Sequence, residues 1–92
     1  MITKSIAIKL PRGLEARPIA ELVQHASRYD ASLRIKAGNA TVNAKSIMGM
    51  MALTLNTGDE VMVTADGSDE EAAIIDLEGY LSGTVTGANV NG

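Results

Sequence analysis

The apolar residues of this chain repeat with two different periods that alternate along the sequence, and this alternation is the strongest constraint on its fold. A spacing of two residues is typical of a strand with one buried face, whereas spacings of three and four are typical of an amphipathic helix. The period changes several times within 92 residues. Because a chain of this length forms one small domain, we predict an α+β fold with a single core.

Four segments carry the two-residue period of half-buried strands. They are residues 2–10, 33–37, 40–43 and 61–65. Pro11-Arg12-Gly13 interrupts the period after the first segment, and Gly38-Asn39 predicts a tight turn between the second and third. The sequence therefore predicts four strands, two of which form a hairpin.

Three further segments carry helical signals. Residues 16–28 place apolar side chains at spacings of three, four and seven, and proline is tolerated in the first turn. Residues 46–53 predict a short helix with Ser46 as its N-cap. Ser68 is followed by Glu71, a capping box that predicts the start of the last helix, and Gly83 is expected to end it.

The predicted element order is β-α-β-β-α-β-α. One sheet face and one face of each helix need cover, so we predict an open-faced β-sandwich, a four-stranded antiparallel sheet covered on one face by three helices. The core must be aliphatic, because the chain has no Phe or Trp. We predict a domain over residues 1–83 and a flexible tail over residues 84–92, which are rich in Gly, Asn and Thr.

Composition excludes several classes of function. The chain has no cysteine, which rules out a disulfide framework, a thiol nucleophile and a cysteine-based zinc site. No apolar run approaches the roughly 20 residues of a membrane span, and the N-terminal residues alternate in polarity, unlike a signal peptide. A formal net charge of −3 argues against nucleic acid as the main partner. We expect a cytoplasmic protein that needs no metal or cofactor.

The turn Gly13-Leu14-Glu15-Ala16-Arg17-Pro18 is the first candidate site. A helix N-terminus favours anions, and Arg17 adds a planar cation suited to phosphate or carboxylate. The structural alternative is that Glu15 merely caps the helix and complements its dipole. The only histidine, His25, lies too far along the same helix to act in this turn, and its position off the apolar stripe predicts a solvated side chain.

The segment Asn43-Ala44-Lys45-Ser46-Ile47-Met48-Gly49 is the second candidate site. A serine that begins a helix is well placed for phosphorylation, because the added charge complements the helix dipole. The following Ile-Met-Gly-Met-Met run is more apolar than a two-turn helix can bury on one face, and exposed methionines form adaptable binding surfaces. The alternative is that Ser46 is only a cap and the methionines belong to the core.

These two motifs resemble those of the HPr family, the histidine-containing phosphocarriers of the bacterial sugar phosphotransferase system. The likeness covers about residues 2–82, and it implies the same open-faced fold. The family motif has histidine where this chain has Glu15, and Arg17 matches the arginine that steadies the phosphohistidine. A branch of the family without that histidine, Crh (catabolite repression HPr), has glutamine there, so Glu15 departs from both patterns.

The resemblance implies that Ser46 is phosphorylated by HPr kinase/phosphorylase and that the protein then binds a transcription regulator such as catabolite control protein A. The residues that match the family's partner surface are Arg17, Lys45, Ser46, Ile47, Met48 and Met51. On this interpretation the protein is a regulator and not an enzyme, and we expect it to be either a monomer or a domain-swapped dimer. The alternative is a phosphocarrier whose histidine has been replaced by Glu15, naturally or by engineering.

Overall fold

Seven elements make up the fold, in the order that the sequence predicts. The structure is a computed structural model that describes residues 1–10, 16–53 and 55–83. The elements are β1 (Ile2–Ala7), α1 (Ala16–Ala26), β2 (Ser32–Ala37), β3 (Ala40–Asn43), α2 (Ile47–Met51), β4 (Glu60–Asp66) and α3 (Glu70–Leu81). The predicted tail, residues 84–92, lies outside the described residues.

The four strands form one antiparallel sheet in the order β1-β4-β2-β3. β4 is central, with Val61 opposite Ile6 of β1 and Val63 opposite Ile35 of β2. β2 and β3 form the predicted hairpin, and Gly38 takes the left-handed conformation that its turn requires, with φ +60°. The hairpin therefore supplies one edge strand of the sheet, and β1 supplies the other.

The two faces of the sheet differ in chemistry because successive side chains of a strand point to opposite sides. Leu33 and Ile35 of β2 are buried against the helices. Arg34 and Lys36, which alternate with them along the strand, are exposed on the open face. β4 follows the same alternation, with Met62 on the open face. The predicted α+β open-faced sandwich is confirmed.

The core is aliphatic, as the composition requires. Val63, Leu22, Ile8 and Leu77 bring strand, helix and loop side chains into one buried cluster, and Tyr80 is the aromatic side chain buried within it. At roughly 25 cal/mol per Å² of buried apolar surface, this cluster is the main source of stability. Branched and flexible side chains thus fill the space that aromatic rings occupy in many domains.

β1 is shorter than the two-residue period predicts. The alternation runs to residue 10, but the strand ends at Ala7. The next two backbone N–H groups bond elsewhere, Ile8 to the Asp59 carbonyl at 2.8 Å and Lys9 to the Leu81 carbonyl at 2.8 Å. Ile8 and Leu10 remain buried, so the alternation correctly marked burial beyond the end of the strand.

The predicted capping box of α3 is wrong. The N-cap is Asp69 instead of Ser68, and its side chain makes no capping hydrogen bond. Its carboxylate accepts the backbone N–H groups of Asp30 and Ala31, both at 2.8 Å. In a capping box the glutamate side chain accepts a backbone N–H from the residue three positions earlier. Here Glu70 makes that bond, accepting the Gly67 N–H at 3.0 Å. A tertiary contact has taken the carboxylate that would have capped the helix.

Candidate functional site

Ser46 is the N-cap of α2, as predicted. Its backbone is extended, with φ −110° and ψ 114°, and its Oγ accepts the Gly49 N–H at 3.1 Å. This is the usual bond of an N-cap side chain, because the first N–H groups of a helix have no partner within it. The residue is half-buried, so part of Ser46 is accessible at the protein surface.

An apolar surface adjoins this serine. Ile47, Met48 and Met51 expose 48%, 85% and 56% of their surface, whereas Met50 of the same helix is fully buried. A helix of five residues can turn only one face to the core, so the remaining apolar side chains stay outside. Ser46, Ile47, Met48 and Met51 together are called the Ser46 surface below.

Lys45 precedes this surface, but its side chain points to a different part of the fold. Its Nζ donates to the Tyr29 carbonyl oxygen at 2.6 Å, just beyond the end of α1. The side chain is half-buried. In this structure Lys45 therefore connects the start of α2 to the loop that follows α1.

Arg17 projects into solvent from the first turn of α1, with 92% of its side chain exposed. Its Nε lies 3.9 Å from Oε2 of Glu21, one turn further along the helix. The helix that carries Arg17, α1, contacts α2, the helix that Ser46 caps. Glu15, the family active-site position, lies outside the described residues.

The interface between α1 and α3 contains polar side chains that the sequence analysis either missed or misplaced. His25, predicted to be solvated, is half-buried, and its Nδ1 lies 3.0 Å from Oδ1 of Asp76. That prediction is wrong, because α3 covers the side of α1 that carries His25. The hydroxyl of Tyr29 donates to the other Asp76 oxygen at 2.7 Å. The Asp76 carboxylate therefore joins His25 and Tyr29 in one half-buried polar cluster.

Tyr80 and Glu21 form a second polar contact across this interface. The Tyr80 hydroxyl donates to Oε1 of Glu21 at 2.8 Å, and burial together with that carboxylate raises the pKa of the phenol. One sequence signal could have pointed to this contact. A chain with two tyrosines and no other large aromatic residue is expected to bury a tyrosine, and a buried hydroxyl needs a partner.

Two classes of site find no support in the described part of the chain. Within residues 1–10, 16–53 and 55–83, no three histidine, aspartate or glutamate side chains are grouped so that they could hold a metal ion. No helix among those residues is long and apolar enough to cross a bilayer.

Comparison with known proteins decides the family. The family model described as the PTS HPr component phosphorylation site matches residues 2–82. The chain belongs to the HPr family. The HPr-like protein Crh of Bacillus subtilis (strain 168) is 41% identical over 81 residues, which are 88% of this chain and 95% of that relative. The resemblance that the two motifs indicate is thereby confirmed.

Solved HPr-family structures share the fold. The phosphocarrier protein HPr of Bacillus anthracis str. Ames superposes with a TM-score of 0.85 at 44% identity, covering 87% of this chain and 95% of its own. The crystal structure of Crh from Bacillus subtilis, described as a dimer with a swapping domain, gives a TM-score of 0.75 at 40% identity. It covers 94% of this chain and 99% of its own.

Proposed function

We propose that this HPr-family protein is a regulator of carbon catabolite repression that is switched by phosphorylation of Ser46. The observation that carries the proposal is the position of Ser46, a half-buried residue that caps a short helix with three exposed apolar side chains. A modifiable hydroxyl next to an apolar patch suits a phosphorylation-dependent interaction, because the phosphate adds charge and the patch supplies area that a partner can bury. The likeness to Crh over most of the chain supports this function.

The chemistry of the switch follows from this arrangement. A phosphate on Ser46 adds about −1.5 to −2 charges and strong acceptor oxygens, which arginine or lysine side chains of a partner bind. Ile47, Met48 and Met51 supply apolar area that becomes buried on contact. HPr kinase/phosphorylase is the proposed modifying enzyme, and a regulator of the catabolite control protein A type is the proposed cytoplasmic partner.

Glu15 motivates the second half of the proposal, that the chain is neither a histidine phosphocarrier nor an enzyme. The family's phosphotransfer needs an imidazole nitrogen that is nucleophilic at neutral pH. A carboxylate is a poorer nucleophile for this reaction, although acyl phosphates form in other systems. We therefore expect no phosphate uptake from phosphoenolpyruvate through the first general enzyme of the phosphotransferase system.

The direct test is phosphorylation in vitro. The protein is incubated with HPr kinase/phosphorylase, ATP and magnesium, and the modified residue is located by mass spectrometry. We expect one phosphate on Ser46 and none on the Ser46→Ala variant. A wild-type protein that stays unmodified while an HPr control is phosphorylated would falsify the proposed switch.

The apolar part of the Ser46 surface can be tested with a matched pair of methionines. Met48 lies on this surface, whereas Met62 is exposed on the open face of the sheet. We expect Met48→Ser to weaken binding of the phosphorylated protein to the regulator about fivefold or more, since a central apolar anchor contributes more than about 1 kcal/mol. Met62→Ser should bind like the wild type in calorimetry. Equal losses in both variants would contradict the proposed surface.

A phosphocarrier with an altered active site is the second candidate, because the superposable HPr of Bacillus anthracis is a phosphocarrier protein. The variant Glu15→His separates the two functions. Recovery of phosphotransfer in that variant alone would indicate a competent carrier fold that has lost its nucleophile. Incorporation of label at Glu15 of the unchanged protein would favour the second candidate over the regulator.

The oligomeric state is part of the proposal, with a monomer and a dimer formed by exchange of β1 as its two options. β1 is an edge strand paired with β4, and the Lys4 ammonium lies 2.7 Å from Oε1 of Glu78. An exchanged strand would make the same contacts with a second copy. Light scattering at several concentrations distinguishes the two options.

A further inference from the structure

Tyr80 reaches from α3 to the first turn of α1. Only 5% of the residue is exposed, and its ring lies against that of His25 with centroids 5.0 Å apart. Its hydroxyl faces two acceptors, Oε1 of Glu21 at 2.8 Å and the Pro18 carbonyl oxygen at 3.2 Å. A buried ring therefore fixes a hydroxyl group at the point where α1 begins.

Glu21 extends this contact to the surface. One carboxylate oxygen accepts from Tyr80, and the other lies 3.9 Å from Nε of Arg17. The carboxylate is therefore held on its inner side by a residue that cannot move freely. A free surface glutamate would sample many rotamers, and an exposed pair of this kind contributes little when both partners are mobile. Anchoring one partner removes part of that entropic cost.

We propose that Tyr80 is a positioning residue for Arg17, acting through Glu21. Arg17 carries a long side chain that loses rotamer freedom when it binds a partner, at a cost of up to about tenfold in affinity. Restricting the guanidinium before contact lowers that cost. The effect on partner affinity rests on the proposed function, in which Arg17 contributes to the regulator interface; the effect on Arg17 itself does not.

Tyr29 provides an internal control for this inference. Its hydroxyl also donates to a carboxylate of the facing helix, Asp76, at 2.7 Å. Asp76 lies beside His25, near the C-terminal end of α1, whereas Arg17 lies near the N-terminal end of that helix. Loss of the Tyr80 hydroxyl removes its contacts with Glu21 and Pro18, and loss of the Tyr29 hydroxyl removes its bond to Asp76. Of these two tyrosines, Tyr80 is the one connected to Arg17 among the described residues. The two tyrosine-to-phenylalanine variants thus separate positioning from general stability.

The binding experiment compares Tyr80→Phe with Tyr29→Phe in the Ser46-phosphorylated protein. We expect Tyr80→Phe to bind the regulator about two- to tenfold more weakly, and Tyr29→Phe to stay within about twofold of the wild type. Phosphorylation of Ser46 by the kinase should proceed at the same rate in all three proteins. Equal affinities of the two variants, whether lowered or unchanged, would overturn the positioning role.

A second measurement needs no partner. The side-chain N–H resonance of Arg17 and its order parameter, measured by NMR in the unmodified protein, should change in Tyr80→Phe and stay unchanged in Tyr29→Phe. If the wild type does not bind the regulator, the proposed function fails, while this measurement still decides the role of Tyr80. If the Arg17 resonance and order parameter are the same in Tyr80→Phe as in the wild type, the inference is contradicted.

Glu21→Ala tests the intermediate step without altering a buried ring. If Tyr80 acts through Glu21, this variant reproduces the NMR change of Tyr80→Phe, and the double variant shows no further change. Non-additivity of this kind is expected of residues that act in one network. Additive effects in the double variant would show that Tyr80 and Glu21 act separately, which contradicts the inference.

Discussion

Gly67 holds the end of β4 close to the loop that follows α1. A Cβ at this position would lie 2.6 Å from the Cα and 2.9 Å from the Cβ of Ala31, which is itself fully buried. Real Cβ atoms do not approach backbone so closely, and the facing atom belongs to the main chain, so no rotamer change relieves the contact. The absence of a side chain at one residue thus permits two segments to pack.

The prediction at this scale is that Gly67→Ala destabilises the fold by about 1–3 kcal/mol, the usual cost of overpacking. Urea unfolding followed by circular dichroism measures the change. Gly38→Ala is the control, because its Cβ would meet nothing within 4 Å and it bears only the cost of a left-handed backbone, about 1 kcal/mol. A smaller loss in Gly67→Ala than in Gly38→Ala would contradict the steric argument.

At the scale of the elements, the start of α3 organises the connection between α1 and β2. The Asp69 carboxylate accepts two backbone N–H groups of that connection, and Lys45 donates to the Tyr29 carbonyl beside it. The N–H of Asp30 first, then that of Ala31, and the nearby Lys45 charge hold the pKa of Asp69 below its ordinary value. One carboxylate thus joins the start of α3 to a loop that lies 38 and 39 positions earlier in the chain.

The pH dependence of stability follows from the direction of that shift. A carboxyl group with a lower pKa in the folded than in the unfolded protein stabilises the fold above its unfolded pKa. The contribution is lost as the pH falls through the folded pKa. We expect Asp69→Asn to be less stable than the wild type near neutral pH and the difference to shrink below about pH 4.

Denaturant unfolding of both proteins across this pH range measures the difference in free energy. Glu71→Gln serves as the control, because Glu71 is an exposed acid in the first turn of the same helix. Its pH profile should follow that of the wild type more closely. A difference between Asp69→Asn and the wild type that stays constant down to acid pH would contradict the assignment.

At the scale of the whole molecule, one aliphatic core joins all three helices to the sheet. Leu77 of α3 is fully buried in it, whereas Ile75, two residues earlier, is exposed. We expect Leu77→Ala to reduce the free energy of unfolding by about 2–5 kcal/mol. That is a large share of the roughly 5–15 kcal/mol of a small domain. Ile75→Ala should change it by less than about 0.5 kcal/mol.

Thermal unfolding provides the measurement, and the transition should remain a single cooperative step in both variants because one core serves every element. Two separate transitions, or equal losses in Leu77→Ala and Ile75→Ala, would contradict a single core. The comparison also separates stability from binding, since neither residue belongs to the Ser46 surface.

Local patterns carried most of what could be predicted from the sequence. Hydrophobic periodicity depends on neighbours within a few residues, and it correctly gave the element order, the open-faced architecture and the buried Leu33, Ile35 and Leu77. The N-cap role of Ser46 is local for the same reason, because its partner Gly49 is three residues away. The two family motifs are likewise contiguous in sequence, which is why the family could be recognised from the residues.

Tertiary structure decided the contacts between residues that are far apart in the chain. Asp69 bonds to Ala31 over 38 positions, which overrode the predicted capping box, and Tyr80 bonds to Glu21 over 59 positions. His25 is covered because α3 packs over it, and no periodicity within α1 specifies which neighbour covers which side. The sequence by itself determined which elements form and which of their faces are apolar. Only the packing decided which polar side chains meet between those elements, because a local pattern carries no information on a distant partner.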